Sequence, residues 1–116
     1  MKMAVQIGES VFTATLEDNA AVDALVEMME QGPVTIQMRD YGGFEKVGAL
    51  GTSLPASNSQ ITTQAGDIVL YQGNQIVLFY GSNSWSYTPL GRIDDLTGWA
   101  EALGSGDVSV TFSLPA

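Results

Sequence analysis

The stretch GDIVLYQGNQIVLFYGSNSWSYTPLGRID, residues 66–94, decides the fold. Residues 68–71 and 75–80 are apolar runs separated by Gln72-Gly73-Asn74, which reads as a β-hairpin. Along the second run Ile76, Leu78 and Tyr80 point one way, Val77 and Phe79 the other. A strand with one wet face alternates apolar and polar residues instead. The hairpin is therefore expected to be covered on two sides, as in a small closed barrel. An aromatic loop, residues 81–87, and a third strand ending in Leu90-Gly91-Arg92-Ile93 follow it.

Outward from this hairpin the chain keeps supplying strands. Residues 5–7 and 11–16 are strand-like runs joined by Gly8-Glu9. Asp18 or Asn19 then caps a helix to about Gln31, with Val22, Leu25, Val26 and Met29 as its buried stripe and Asp23, Glu27 and Glu30 as its wet face. Gly32 and Pro33 stop it. Residues 34–39 alternate as a half-buried strand, and Asp40-Tyr41-Gly42-Gly43-Phe44 makes a turn. Residues 45–64 are polar and rich in glycine and serine, which predicts a long irregular connection anchored by Leu50, Leu54 and Ile61. After the hairpin stretch, Asp94 or Asp95 is expected to cap a short second helix with Leu96, Trp99, Ala100 and Leu103 buried, and a last strand runs from Val108 to Leu114. About eight short strands with only two helices, each between strands, predict a mainly β fold: a closed eight-stranded β-barrel with a helix over each open end. At 116 residues this is one domain spanning 1–116.

Composition excludes several chemistries. The chain has no cysteine and no histidine, so disulfides, thiolate metal sites, a cysteine nucleophile and histidine-based general acid–base catalysis are absent. Four basic residues, Lys2, Arg39, Lys46 and Arg92, face thirteen acidic ones, a net charge of −9. Nucleic acid and anionic membrane surfaces are therefore not expected partners. No run approaches the ~20 apolar residues of a membrane span. Residues 1–7 enter a strand directly with no signal-peptide pattern, so as written the protein is expected in the cytoplasm, a replaced leader staying open. No dense spacing of oxygen ligands appears, and neither a metal nor a cofactor is expected.

Five segments carry a family resemblance: FTATLEDN (12–19), FEKVGALGTSLP (44–55), AGDIVLYQGNQIVLFYG (65–81), SYTPLGRIDD (86–95) and LGSGDVSVTF (103–112). In this order they resemble the cyclophilin-like superfamily, most closely a bacterial group of cyclophilin-fold domains of uncertain activity. A fainter likeness to true cyclophilins, which are peptidyl-prolyl isomerases, lies in Gly73-Asn74-Gln75, Trp85 and Gly91-Arg92-Ile93. That likeness implies a site made of an arginine on the third strand, a phenylalanine-lined proline pocket, a tryptophan and a histidine. Here Arg39 ends the third strand beside Asp40, which is expected to neutralise it. The pocket phenylalanine falls near Val77, and Thr88-Pro89 stands near the place of the missing histidine. Isomerisation must overcome roughly 18–20 kcal/mol, and these departures speak against efficient catalysis of it.

Two constellations are left as candidate sites. Arg39, Tyr41, Phe44 and Lys46 place two of the four basic residues around a Gly-Gly turn, fit for a small anion or peptide carboxylate, or for local pairing with Asp40 and Glu45. Trp85 and Tyr87, with Tyr80 and Tyr71, offer aromatics among small polar residues, fit for recognition or for capping the barrel. The expected function is a non-catalytic binding module for a small molecule or extended peptide. Its groove would lie between the 45–64 and 81–87 loops. A divergent isomerase using Arg39 and a structural protein-interaction domain are the alternatives.

Overall fold

Alternating burial starts the sheet. In β1 (Lys2–Ile7) Met3, Val5 and Ile7 are buried, and in β2 (Ser10–Leu16) Phe12, Ala14 and Leu16 are, while the residues between them face out. The two-residue Gly8-Glu9 loop joins them with Ile7 opposite Ser10, as expected from the sequence. The computed structural model describes residues 1–115. It continues through α1 (Ala20–Glu30), β3 (Val34–Tyr41), β4 (Glu45–Ala49), β5 (Ser59–Thr62), β6 (Asp67–Tyr71), β7 (Gln75–Phe79), β8 (Ser84–Ile93), α2 (Trp99–Leu103) and β9 (Val108–Ser113).

Eight antiparallel strands follow one another as β2-β1-β9-β3-β4-β7-β6-β8. Pairing of β2 with β8, Ala14 to Ile93 and Leu16 to Gly91, closes the ring. The closed eight-stranded barrel is thus as the two-faced hairpin predicts. Gly91 permits that closure, because a Cβ there would stand 2.6 Å from the carbonyl oxygen of Thr15. β5 lies outside the ring, paired only with the first half of β8, where Ile61 faces Trp85.

Neighbouring strands alternate in direction, so the end of β2 and the start of β3 share one mouth of the barrel, and the end of β8 and the start of β9 share the other. Helix α1 bridges the first mouth and α2 the second. Asn19 caps α1, its side chain accepting from the Val22 amide at 2.9 Å and donating to the Pro89 carbonyl at 2.9 Å. From α1, Ala21, Val22, Leu25 and Met29 enter the interior cluster; from α2, Trp99 and Leu103 do. A second, smaller cluster of Val69, Val77, Phe79 and Tyr87 forms on the outside of β6–β8. Its presence explains why the hairpin is apolar on both faces: Ile76 and Leu78 fill the barrel, Val77 and Phe79 lie under an outer layer.

Four sequence expectations are corrected. Strand β3 runs on to Tyr41, so Arg39 does not end it and Asp40 and Tyr41 pair with β4 instead of forming the turn. Residues 45–64 are not wholly irregular: they hold β4, a central barrel strand, and β5. Charged Glu45 and Lys46 at the start of β4 hide the apolar pattern. Residues 81–87 are not wholly a loop, since β8 begins at Ser84 and puts Trp85 and Tyr87 on a strand. Helix α2 begins at Trp99, not after the aspartates. Asp94 instead takes part in an ion pair with Lys2 at 2.8 Å, Asp95 accepts from the Thr97 amide, and Leu96 is exposed.

Candidate functional site

A cleft of about 550 Å³ runs across β3, β4, β6, β7 and β8, lined by Tyr87 of the outer cluster and by Phe44, Val47 and Tyr71, which pack against that cluster. β3 contributes Arg39 and Tyr41, which period-two alternation places on its outer face while Met38 enters the barrel. β4 contributes Glu45 and Val47, paired across from Tyr41 and Arg39. β6 supplies Tyr71, β7 Gln75, the following loop Asn83, and β8 Trp85 and Tyr87. Phe44 leans on the same wall from the β3–β4 turn. It is seated on Gly81, where a Cβ would lie 2.8 Å from that of Phe44, and its carbonyl accepts from the amides of Tyr80 and Gly81.

The aromatic walls interlock edge to face. Tyr87 packs against Phe79 at 5.7 Å and Tyr71 at 6.1 Å between ring centroids, and Tyr41 against Phe44 at 6.0 Å. The Tyr87 hydroxyl accepts from the Asn83 amide at 2.9 Å. Burial pushes this phenol above its ordinary value, although the Asn83 bond opposes the shift. Trp85 and Tyr41 are over half exposed and form the rim.

Of the residues expected to bind ligand, Arg39, Tyr41, Phe44, Trp85 and Tyr87 meet at this cleft, together with Tyr71. Lys46 and Tyr80 do not. Lys46 is wholly buried on the inner face of β4, where its ammonium donates to the Gly106 carbonyl at 2.6 Å, pairs with Asp40 at 3.2 Å and sits 5.5 Å from the centre of the Tyr80 ring. The Tyr80 hydroxyl donates to Asp40. These bonds hold the Asp40 carboxyl below its ordinary range and push the Tyr80 phenol up to about 12. Asp40 therefore does not neutralise Arg39, as consecutive strand residues face opposite sides. Among the described residues Lys2, Lys46 and Arg92 each have an acidic partner, and Arg39 has none.

The chain matches the model of a family described as the cyclophilin-like family over residues 5–113. The protein belongs to the cyclophilin-like family. No curated protein matches the chain, and no solved structure does. Within this cyclophilin-like barrel, the elements that the resemblance implies for an isomerase are only partly assembled. Arg39 projects from β3 into the cleft and Trp85 stands at its rim, but Val77, where a phenylalanine is implied, lies in the outer cluster and does not line the cleft. Thr88, near the place of the implied histidine, is buried and hydrogen-bonds to Asn58 and the Ser57 amide.

From the sequence Glu45 is expected beside Arg39 and Lys46 only as a charge for local pairing, not as a ligand-binding residue. Its only signal is alternation with Val47, which becomes visible once β4 is recognised as a strand. The Glu45 side chain opens into the cleft, yet the residue is 5% exposed and has no hydrogen-bond partner among the described residues. Burial, aided by the charge of Asp40, pushes its carboxyl up to about 7 from an ordinary 4.5. The folded protein thus holds a proton that the unfolded chain releases at lower pH. Stability falls as pH rises through the window between these values, and the full cost persists above it. Glu45→Gln should therefore melt near wild type at about pH 4.5 and above it at about pH 8. Thermal denaturation across this range checks the prediction; a gap that does not widen with pH contradicts it.

Proposed function

We propose that this cyclophilin-like domain is a binding module whose cleft takes a small molecule or a short extended peptide bearing an anionic group. The observation that carries the reading is Arg39. It is the one basic residue without an acidic partner among the described residues, and it faces a concave, aromatic-walled surface. A free guanidinium beside apolar walls suits a carboxylate or phosphate attached to an apolar body. The cleft volume of about 550 Å³ falls within the range of small-molecule sites.

A thermal-shift screen of metabolites and short peptides tests this, with Trp85 fluorescence as the second readout. Trp99 is buried, so the ligand-dependent change should vanish in Trp85→Phe. Arg39→Ala should weaken the best anionic ligand about 10- to 100-fold while leaving the melting temperature of the free protein nearly unchanged. Equal affinity of the variant refutes the assigned role. An empty screen, with one stoichiometric protein recovered from cells, would favour a structural interaction domain instead.

The second reading, a divergent peptidyl-prolyl isomerase, is favoured by one feature: Arg39 projects from the third strand into an aromatic-walled cleft. It requires acceleration of cis/trans exchange in a proline tetrapeptide and loss of that acceleration in Arg39→Ala. No acceleration at micromolar protein removes it.

A further inference from the structure

Arg39 is not the only charged group left open in the cleft. Glu45 faces Tyr41 across the β3–β4 pair, and Arg39 faces Val47, so the two charges lie on one sheet face at diagonal positions. Such positions lie roughly 7–8 Å apart, their Cβ atoms somewhat closer, within joint reach of one small ligand. The two side chains form no ion pair with each other, although both are long. Glu45 is deeply buried, lines the cleft and has no hydrogen-bond partner among the described residues. Burial makes ionising that carboxyl costly, and a ligand that supplies a donor offsets the cost.

The surroundings favour a cation for that role. The cleft that Glu45 lines is also lined by Arg39 and Tyr41 from β3, Tyr71 from β6, and Trp85 and Tyr87 from β8. Asp40 and Lys46 lie behind, on the barrel side of their strands, paired with each other. The aromatic faces attract an ammonium group as well. A purely anionic ligand would meet Arg39 but leave Glu45 unpaired and repelled. A plain amine would satisfy Glu45 but face the guanidinium.

We propose that the cleft takes a small zwitterion with an apolar side chain, its cationic group on Glu45, its anionic group on Arg39, and its side chain among Tyr71, Trp85 and Tyr87. This deepens the binding function above and rests on it. A hydrophobic amino acid and a short peptide with free ends share this chemistry.

Calorimetric titration of the whole chain separates the sources and tests the class. The probes are L-phenylalanine, L-phenylalanylglycine, N-acetyl-L-phenylalanine, which lacks the cation, and L-phenylalaninamide, which lacks the anion. The tighter of the first two names the source. Each of the last two should bind at least about tenfold more weakly than that zwitterion, and so should the zwitterion to Glu45→Gln. Because Glu45 holds its proton to about 7, its ionised fraction rises about tenfold between about pH 6 and pH 8. Affinity for L-phenylalanine, whose amine stays protonated through this range, should rise in parallel, and Glu45→Gln should abolish the rise. Equal binding of N-acetyl-L-phenylalanine overturns the cationic subsite while leaving an anion-binding cleft intact. No binding by either zwitterion overturns the inference; the binding function itself falls only if the metabolite and peptide screen is also empty.

Discussion

Trp99→Ala should destabilise the protein by about 4 kcal/mol, a large share of the roughly 5–15 kcal/mol that holds a domain together. Trp99 is 1% exposed and the largest fully buried side chain. Its ring meets Phe12 edge to face at 5.0 Å, and its indole N–H donates to the Phe79 carbonyl at 2.8 Å. That carbonyl also accepts from the Gly66 amide, so the loss comes mainly from the cavity rather than from an orphaned acceptor. Helix α2 has five residues, too few to be stable alone. It exists because Trp99 and Leu103 bury themselves in the barrel mouth. Urea denaturation measures the effect; a loss below about 1 kcal/mol would contradict a plug held by this ring. Trp99→Phe, which keeps an aromatic core, should lose well under half as much.

Lys46→Ala should cost about 3 kcal/mol and lower the melting temperature by about 10 °C or more. The side chain fills interior space, and its ammonium ties three elements at the α2 mouth: Asp40 at the end of β3, Tyr80 just after β7, and Gly106 in the turn before β9. Removing it leaves a void and strips the Gly106 carbonyl of its donor. Lys46→Met, which keeps the apolar stem, should recover part of the loss, and failure to do so would assign the whole effect to the charge. Both this site and Trp99 hold the segment around α2, so the double variant should lose less than the sum of the two.

Residue order made some of this readable and hid the rest for definable reasons. The hairpin of residues 68–80 announces a two-sided environment because apolar residues occupy both parities of a strand. Asn19 and the Gly8-Glu9 loop are local chemistry and could be read locally. Strand β4 could not, because Glu45 and Lys46 look like solvated turn charges until partners from elsewhere account for their burial. The aromatic members of the cleft were recognisable by type, and Arg39 by its rarity in an acidic chain. Tyr80 shares that type but belongs to the barrel mouth, where its hydroxyl donates a hydrogen bond to Asp40.

The barrel, its two helices and the family could be read along the chain, since they follow from periodicity, turn chemistry and ordered motifs. Which charges face the cleft could not, because that depends on how distant strands come together. Period two says that Arg39 and Asp40 point apart and that Glu45 and Lys46 do too. It does not say which side is wet. That choice is made by strands brought together from distant parts of the chain: Tyr80 and Gly106 give Lys46 and Asp40 partners inside, and Tyr71, Trp85 and Tyr87 build the wall that leaves Arg39 and Glu45 open.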